Sequence, residues 1–421
     1  MPGVRDSAGH DRPEGDARTM TVPTKRLGDL LLEAKPGFAC GEEAEDGIFQ
    51  IRMNNITRDG RLDLSKRRLV PAQRPGIAGF LLREGDVLFN ATNSPDMVGK
   101  TALIYATDEP TVFSNHFLRL RVDRSTLLPA YLARWLHLQF DGGIFKAMCR
   151  QWVNQATVGR DTLLRLAVPL PSLAEQRRVA EVLDRADELR AKRREALNTL
   201  DDLTQSIFLD MFGDPVENER RWPTGSVRDF VARFESGKNL VAEDEDDPRA
   251  QFRVLKVSAV TSLTFIATES KAVPSGYIPP QSHVVRDGDL LFSRANTEAL
   301  VGATAMVTDP PHNLLLPDKL WRFVWHEPVR SAPLYVRQLF QQPSFRREIS
   351  RRATGTSGSM KNISQDKVLS ITTGIPPLTL QHSFAHRVAK VELLKAAHRA
   401  SLAELDALFA SLQDRAFRGL L

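Results

Sequence analysis

Cysteine is almost missing from this chain: 421 residues contain only Cys40 and Cys149. Neither has a Cys or His neighbour at metal-ligand spacing, which argues against a disulfide framework or a zinc site and fits a reducing, cytoplasmic setting. Long apolar runs are missing too. None approaches the roughly 18–20 residues needed to span a bilayer, so no membrane partner is expected. Charge of one sign is not dominant, since 57 Lys+Arg against 52 Asp+Glu leave +5. That excess is compatible with nucleic acid without singling it out. The nine histidines form no cluster suited to a metal or a catalytic triad. Residues 1–20 lack the apolar core of a signal peptide and mix Pro, Gly and both charge signs, so they read as a disordered extension. The remaining composition, 42% hydrophobic and 26% charged, is that of a soluble globular protein long enough for two or three domains.

What the chain does have is itself, twice. Arg83-Glu84-Gly85-Asp86 aligns with Arg286-Asp287-Gly288-Asp289 at an offset of 203 residues. Leu88-Phe89, Asn93, Val98-Gly99 and Thr101 then fall on Leu291-Phe292, Asn296, Val301-Gly302 and Thr304 without a gap. Leu27-Gly28-Asp29-Leu30 pairs with Val227-Arg228-Asp229-Phe230 at 200, Ile51–Thr57 with Leu255–Thr261 at 204, and Pro171-x-Leu173-x-x-Gln176 with Pro376-x-Leu378-x-x-Gln381 at 205. A period this long is not a solenoid, so each copy should be a domain with an appendage.

Within each copy the texture changes once. Short β-rich runs broken by Gly, Pro and Asn, with a few helical stretches, predict an α+β domain. After VPLPSL, residues 174–212 hold no Gly or Pro and place Leu183, Ala186, Leu189, Leu197, Leu200, Leu203 and Ile207 at helical spacing. Val388, Val391, Leu394, Leu402, Leu405 and Leu408 match the first six at 205, and Ser411 falls roughly alongside Ile207. Each segment predicts one helix of about 58 Å at 1.5 Å per residue. Such a helix must bury its stripe, either against its own repeat or flat on its own domain. The resulting layout is an extension over 1–20, recognition domain 1 over 21–170, a central spacer helix over 171–213, domain 2 over 214–376 and a C-terminal spacer helix over 377–421.

Three fragments imitate enzyme motifs. Val98-Gly99-Lys100-Thr101 resembles the end of a phosphate-binding loop, but Ser94 stands where the leading glycine belongs, and the second copy has Ala303 in place of the lysine. Asp309-Pro310-Pro311-His312 resembles an amino-methyltransferase motif with histidine at the base-stacking position, yet no Gly-rich loop for a methyl donor lies upstream. Glu33-Ala34-Lys35 could be half of a nuclease metal motif and lacks its Pro-Asp partner. Nothing here supports catalysis.

Recognition chemistry remains. Lys66-Arg67-Arg68, Arg346-Arg347 and Arg351-Arg352 are basic clusters, and the last precedes a Gly/Ser/Thr-rich loop ending Ser359-Met360-Lys361-Asn362. Amides, hydroxyls and cations suit phosphate oxygens, although an ordinary solvated loop has the same composition. Arg294 suits guanine, and Asn93 or Asn296 suits adenine, unless these asparagines only cap a turn. The acidic runs 42–46 and 243–247 should face away from DNA or mark a protein-docking surface.

On these residues the chain resembles the specificity subunits of type I restriction-modification systems. The resemblance lies in Gly85-Asp86-Val87-Leu88-Phe89 and Gly288-Asp289-Leu290-Leu291-Phe292, in Val168–Arg177, and in the helix ending Met211-Phe212-Gly213-Asp214-Pro215. It covers roughly residues 21–421, and the second copy departs from it by lacking the Glu before Gln381. The resemblance implies a non-catalytic subunit with two recognition domains, each reading half of a split, asymmetric double-stranded DNA target. The two spacer helices would pack as an antiparallel coiled coil with pseudo-twofold symmetry. Two methyltransferase (M) subunits and restriction (R) subunits would be its partners. S-adenosylmethionine, ATP and Mg²⁺ would sit on those partners, with no cofactor on this chain. The competing readings are a stand-alone methyltransferase or nuclease, and a scaffold that has lost DNA binding.

Overall fold

The computed structural model describes residues 22–151, 155–240, 247, 250–274, 276–357 and 360–421. The expected extension over 1–20, most of the second acidic run and the candidate Ser359 lie outside the described residues. The chain divides into two compact units. The first runs up to Lys192 and takes in Ser401–Leu421; the second is Arg193–Ala400.

The first unit is built on an antiparallel sheet of β1 (Leu31–Pro36), β2 (Val87–Asn90), β3 (Thr101–Leu103) and β4 (Phe117–Val122), in the order β1-β4-β2-β3. β2 is buried along its whole length, as a central strand must be when both faces are covered. The Gly-Asp pair before it is a turn device. Gly85 takes φ 88°, and the buried Asp86 carboxylate accepts from the Arg83 amide at 2.9 Å and from Arg121 Nε at 2.6 Å. Helix α1 (Pro129–Asp141) covers the sheet with Tyr131, Leu132, Trp135 and Leu136. A short pairing of Thr24–Arg26 with Ala167–Pro169 then closes the domain, and helix α2 (Leu173–Phe212) begins.

The second unit repeats this plan. β5 (Val231–Ser236), β6 (Leu290–Ser293), β7 (Thr304–Met306) and β8 (Leu320–Trp325) form a sheet in the order β5-β8-β6-β7. Even the register slip recurs, between Leu31 and Glu33 in one sheet and between Val231 and Arg233 in the other. Helix α3 (Pro333–Gln341) replaces α1, α4 (Pro343–Arg352) follows it, and Thr224–Ser226 pairs with Thr372–Gly374 before helix α5 (Leu378–Phe417). Both long helices have 40 residues, so each is about 60 Å long.

Each long helix is tied to its domain by one buried glutamine. The Gln176 carboxamide accepts from the Leu128 amide at 2.9 Å and donates to Thr126 and Pro171 carbonyls at 3.0 Å. Leu128 is the residue that caps α1. Gln381 does the same in the second unit, accepting from the amide of Ala332, which caps α3, and donating to the Pro376 carbonyl. The glutamate before Gln176 acts apart from this joint, since Glu175 and Ser172 cap the start of α2 reciprocally. Leu380 stands there in the second copy, so a cap is lost while the glutamine anchor is kept.

The helices pack both on their domains and on each other, so the two packing alternatives are realised together. In the first unit Val179 and Leu183 share one core with α1 and with Phe409, Ala416 and Phe417 of α5. Early α2 residues meet late α5 residues, an antiparallel arrangement. In the second unit Phe208 and Phe212 join Tyr335, Phe384 and Val388 in the same sense.

Leu183, Val388 and Val391 of the expected stripe are buried; Ala186, Leu197, Leu200, Ile207, Leu402 and Leu405 are partly buried. Leu408 does not pack between the helices and is 52% exposed, as Leu189, Leu203 and Leu394 are at 48%, 43% and 53%. A three-residue step falls about 60° short of a full helical turn, so a stripe read in threes walks off the contact line. Polar residues occupy part of that line instead. Arg190 Nε reaches Asp406 at 2.6 Å in the first unit, and Lys395 Nζ reaches Asp201 at 2.6 Å in the second. Both members of one pair are 205 residues from their counterparts in the other.

Replacing Gln176 or Gln381 by Leu strands a buried amide and carbonyl, and should cost roughly 1–3 kcal/mol in the unit concerned. Urea unfolding of each variant reads this, and an unmoved transition would refute the anchoring role. A double-mutant cycle of Asp201→Asn with Lys395→Met should return a coupling of about 0.5–1 kcal/mol, modest because Asp201 is largely in solvent. Additive effects would mean that the pair is screened out.

Candidate nucleic-acid interface

A small three-stranded sheet stands at the same place in each unit. In the first, Thr92–Asn93 pairs with Ala156–Thr157, which pairs with Arg150–Gln151. In the second, Ala295–Asn296 pairs with Met360–Asn362, which pairs with Thr354–Ser357. The fold thus brings the candidate Asn296 directly opposite Lys361. The matching hairpin in the first unit was missed by sequence reasoning, although Val158 and Gly159 lie 205 residues before Ile363 and Ser364 and could have signalled it.

Several candidates are committed to internal bonds. Asn93 and Asn296 accept from the amides of Ser94 and Thr297 at 2.8 Å, so both cap a turn. Arg294 Nε donates to the Asp318 carbonyl at 2.7 Å, with its guanidinium 3.7 Å from the Asp318 carboxylate. Lys361 lies 4.0 Å from Glu298. Arg346 donates to the Ala299 carbonyl, and burial pushes its pKa down. Arg351 and Arg352 both pair with Glu348. Arg67 pairs with Glu109 and lies over the Phe49 ring, and Arg68 donates to the Cys40 carbonyl. Lys66 and Arg347 are exposed.

The motifs that imitate enzymes are structural. Lys100 is buried, with its ammonium donating to the Ile56 and Met53 carbonyls, and burial lowers its pKa. It cannot serve a phosphate from there. Glu33 pairs with the buried Arg119, and Lys35 donates to the Gly79 carbonyl. Asp309 sits in a turn at φ 46° with its amide donating to Asp287. Among the described residues no group of three or more His, Cys, Asp or Glu is placed to hold a metal. No described helix is long and apolar enough to cross a membrane.

A concavity of about 320 Å³ in the second unit gathers cations that the sequence scatters. Its lining includes Lys238, Lys256, Lys271 and Lys319, with Asp318 as the acidic member. Lys238 follows β5, Lys256 follows the strand Arg253–Leu255, Lys271 is central in Ser270–Ala272, and Lys319 precedes β8. Strand pairing alone assembles them, so no local run could have flagged the group. Arg294 borders this basin: its amide donates to the Lys319 carbonyl at 3.1 Å.

The comparisons with known proteins agree with this architecture. Residues 26–199 match the family model for the type I restriction modification DNA specificity domain. The chain is similar to the putative type I restriction enzyme MjaX specificity subunit of Methanocaldococcus jannaschii, 26% identical over 212 residues, which is 50% of each chain. It thus spans about half the length of that relative. It is also similar to the type I restriction enzyme EcoKI specificity subunit of Escherichia coli K12, 24% identical over 391 residues, covering 89% of this chain and 82% of that one. The crystal structure of a type I restriction-modification S subunit from M. genitalium superposes with a TM-score of 0.56 at 12% identity, covering 94% of this chain and 95% of that one. Residues 26–199 therefore resemble the type I restriction-modification DNA specificity domain, and the chain as a whole has a fold similar to that of a type I restriction-modification S subunit.

Proposed function

We propose that this chain is the sequence-specific DNA-recognition subunit of a cytoplasmic type I restriction-modification complex, without a catalytic centre of its own. It reads a bipartite, asymmetric duplex target, one half per recognition domain, with the long helices as spacer. Two methyltransferase subunits and restriction subunits are its protein partners, and S-adenosylmethionine, ATP and Mg²⁺ act on those partners. The observation that carries this reading is one backbone frame used twice with different side chains at matching loop positions. Asn90, Ala91 and Thr92 in the first unit correspond to Ser293, Arg294 and Ala295 in the second. A shared frame with exchanged side chains suits two readers of different sequences.

Exchange of residues 222–370 for another recognition domain should change one half of the methylated sequence and leave the other intact, as read by methylome sequencing of a host carrying the complex. Retention of both halves would refute the one-half-per-domain assignment. The isolated chain should bind S-adenosylmethionine no better than an unrelated protein in calorimetry; tight binding would favour the stand-alone methyltransferase.

A further inference from the structure

We infer that the first unit carries a docking groove for a tryptophan side chain, presented by an extended segment of a partner polypeptide.

The groove has a volume of about 190 Å³ and lies where the start of α2 meets the end of α5. Val22, Leu170, Val179 and Ala416 give it an apolar floor. Val179 and Ala416 also belong to the core that joins the two helices, so the groove continues an interface already formed. Its charged members are Glu175 and Arg178, one of each sign. Hydrogen bonds from Ser172, with the nearby charge of Arg178, hold the Glu175 carboxyl below its usual pKa. The two charges offset each other, so the rim has no net charge to draw an ion. At this size the groove falls below the roughly 300–1,000 Å³ of a site for a whole small ligand, and suits one large side chain.

The second unit shows what fills the equivalent place. The pairing of Thr24–Arg26 with Ala167–Pro169 matches that of Thr224–Ser226 with Thr372–Gly374. The Leu170 amide donates to the Pro23 carbonyl as the Ile375 amide does to that of Pro223. Val22 therefore stands where Trp222 stands. Val179 and Ala416 take the places of Phe384 and Met211, each 205 residues apart. At all three positions the first unit has the smaller side chain, and the groove is the room that these exchanges leave. The Trp222 indole N–H donates to the Phe212 carbonyl at 3.0 Å, which sets the ring against the last turn of α2. Phe417 is the matching residue of α5, beside Ala416. The last carbonyls of a helix have no acceptor role within it, so an incoming indole finds apolar contact and an acceptor together.

The ring has to come from elsewhere. Residues 1–21, which lead into Val22, contain no Phe, Tyr or Trp. Trp222 is held by a turn in which Asn218 bonds to its amide and carbonyl, and a Cβ on Gly374 would strike Asn218. Pro169 stands at the place of Gly374, so the first unit admits the ring without that turn.

The test is binding of a fluorescein-labelled peptide with the sequence of Glu219–Pro223 to the full chain, read by anisotropy. Replacing its tryptophan by alanine should weaken binding by about tenfold or more, as for an anchor side chain. N-acetyltryptophanamide should displace the peptide and N-acetylalaninamide should not. Affinity should hold across a potassium chloride series, because no ion pair is made. A416M and V179F restore the large residues of the second unit, and each should weaken the peptide by about tenfold or more. Thermal unfolding shows that the variants are folded, and A416M decides if V179F is not. Equal binding of the two peptides, or wild-type affinity in folded A416M, would overturn the groove. So would a full chain that binds neither peptide, the result expected if residues 1–21 cover the site.

Discussion

A single buried carboxamide in each unit ties a 40-residue helix to a recognition domain. Gln176 and Gln381 bond to the residue that caps the domain's covering helix and to the carbonyl of the proline five residues before the glutamine. Both are at most 1% exposed. A buried amide group left without partners is expensive, so the long helix can leave its domain only at the position that satisfies these bonds. Tyr131, whose hydroxyl donates to the Pro169 carbonyl, and Tyr335 pack the same joints, and burial raises the pKa of both phenols. The joint also explains which letters of the repeated proline-leucine-glutamine motif survive between copies. The glutamine is part of the joint, whereas Glu175 only caps a helix that has forty residues to stabilise it.

Away from the joints, the frame tolerates exchange wherever backbone bonds do the holding. Lys100 caps two carbonyls from inside the first unit, while Ala303 fills the same place in the second. Positions that require a particular backbone do not drift. Gly99 and Gly302 both have φ above 80°, and a Cβ would strike Phe145 in one case and Ile349 in the other. Arg119 and Arg322 likewise recur on the central strands, each paired with an acid on the neighbouring strand, Glu33 or Glu235. The duplication therefore preserves turns, joints and one ion pair between neighbouring strands, and varies the rims. Variation at the rims is what lets one frame present Phe38 and His116 in one unit and Lys238 and Lys319 in the other.

This division sets what was legible from the sequence. The period, the α+β texture of each copy and the two long helices could be read, because glycine turns, proline stops and helical composition act locally. The side chains chosen for their chemistry fared differently. Asn93, Asn296 and Arg294 have the right groups for base edges but spend them on neighbouring backbone, a choice made by loop conformation and invisible in composition. The basin failed to register for the opposite reason: its successive lysines lie 15 to 48 residues apart in sequence, and only strand pairing makes them neighbours. Leu408 was misplaced because apolar spacing cannot reveal that a helix contact includes charged pairs.

Those charged pairs bear on specificity of fold more than on stability. Arg190 binds Asp187 on its own helix and Asp406 on the other, and its guanidinium lies over the Phe409 ring at 4.2 Å. Lys395 binds Glu392 and Asp201 in the corresponding way. Arg134 from α1 joins the first chain through Asp187, and Arg337 from α3 joins the second through Glu392. Burial works against the charge on Glu392, but Arg337 and Lys395 outweigh it and hold its pKa low. A leucine in these places could slide by one turn and still find apolar contact. A charge with partners on two elements cannot, since a slip leaves it buried without them. The domain, its own helix and the crossing helix are thereby held in one register within each unit, with Asp187 and Arg190 of one copy replaced by Glu392 and Lys395 in the other and the outer Arg and Asp kept.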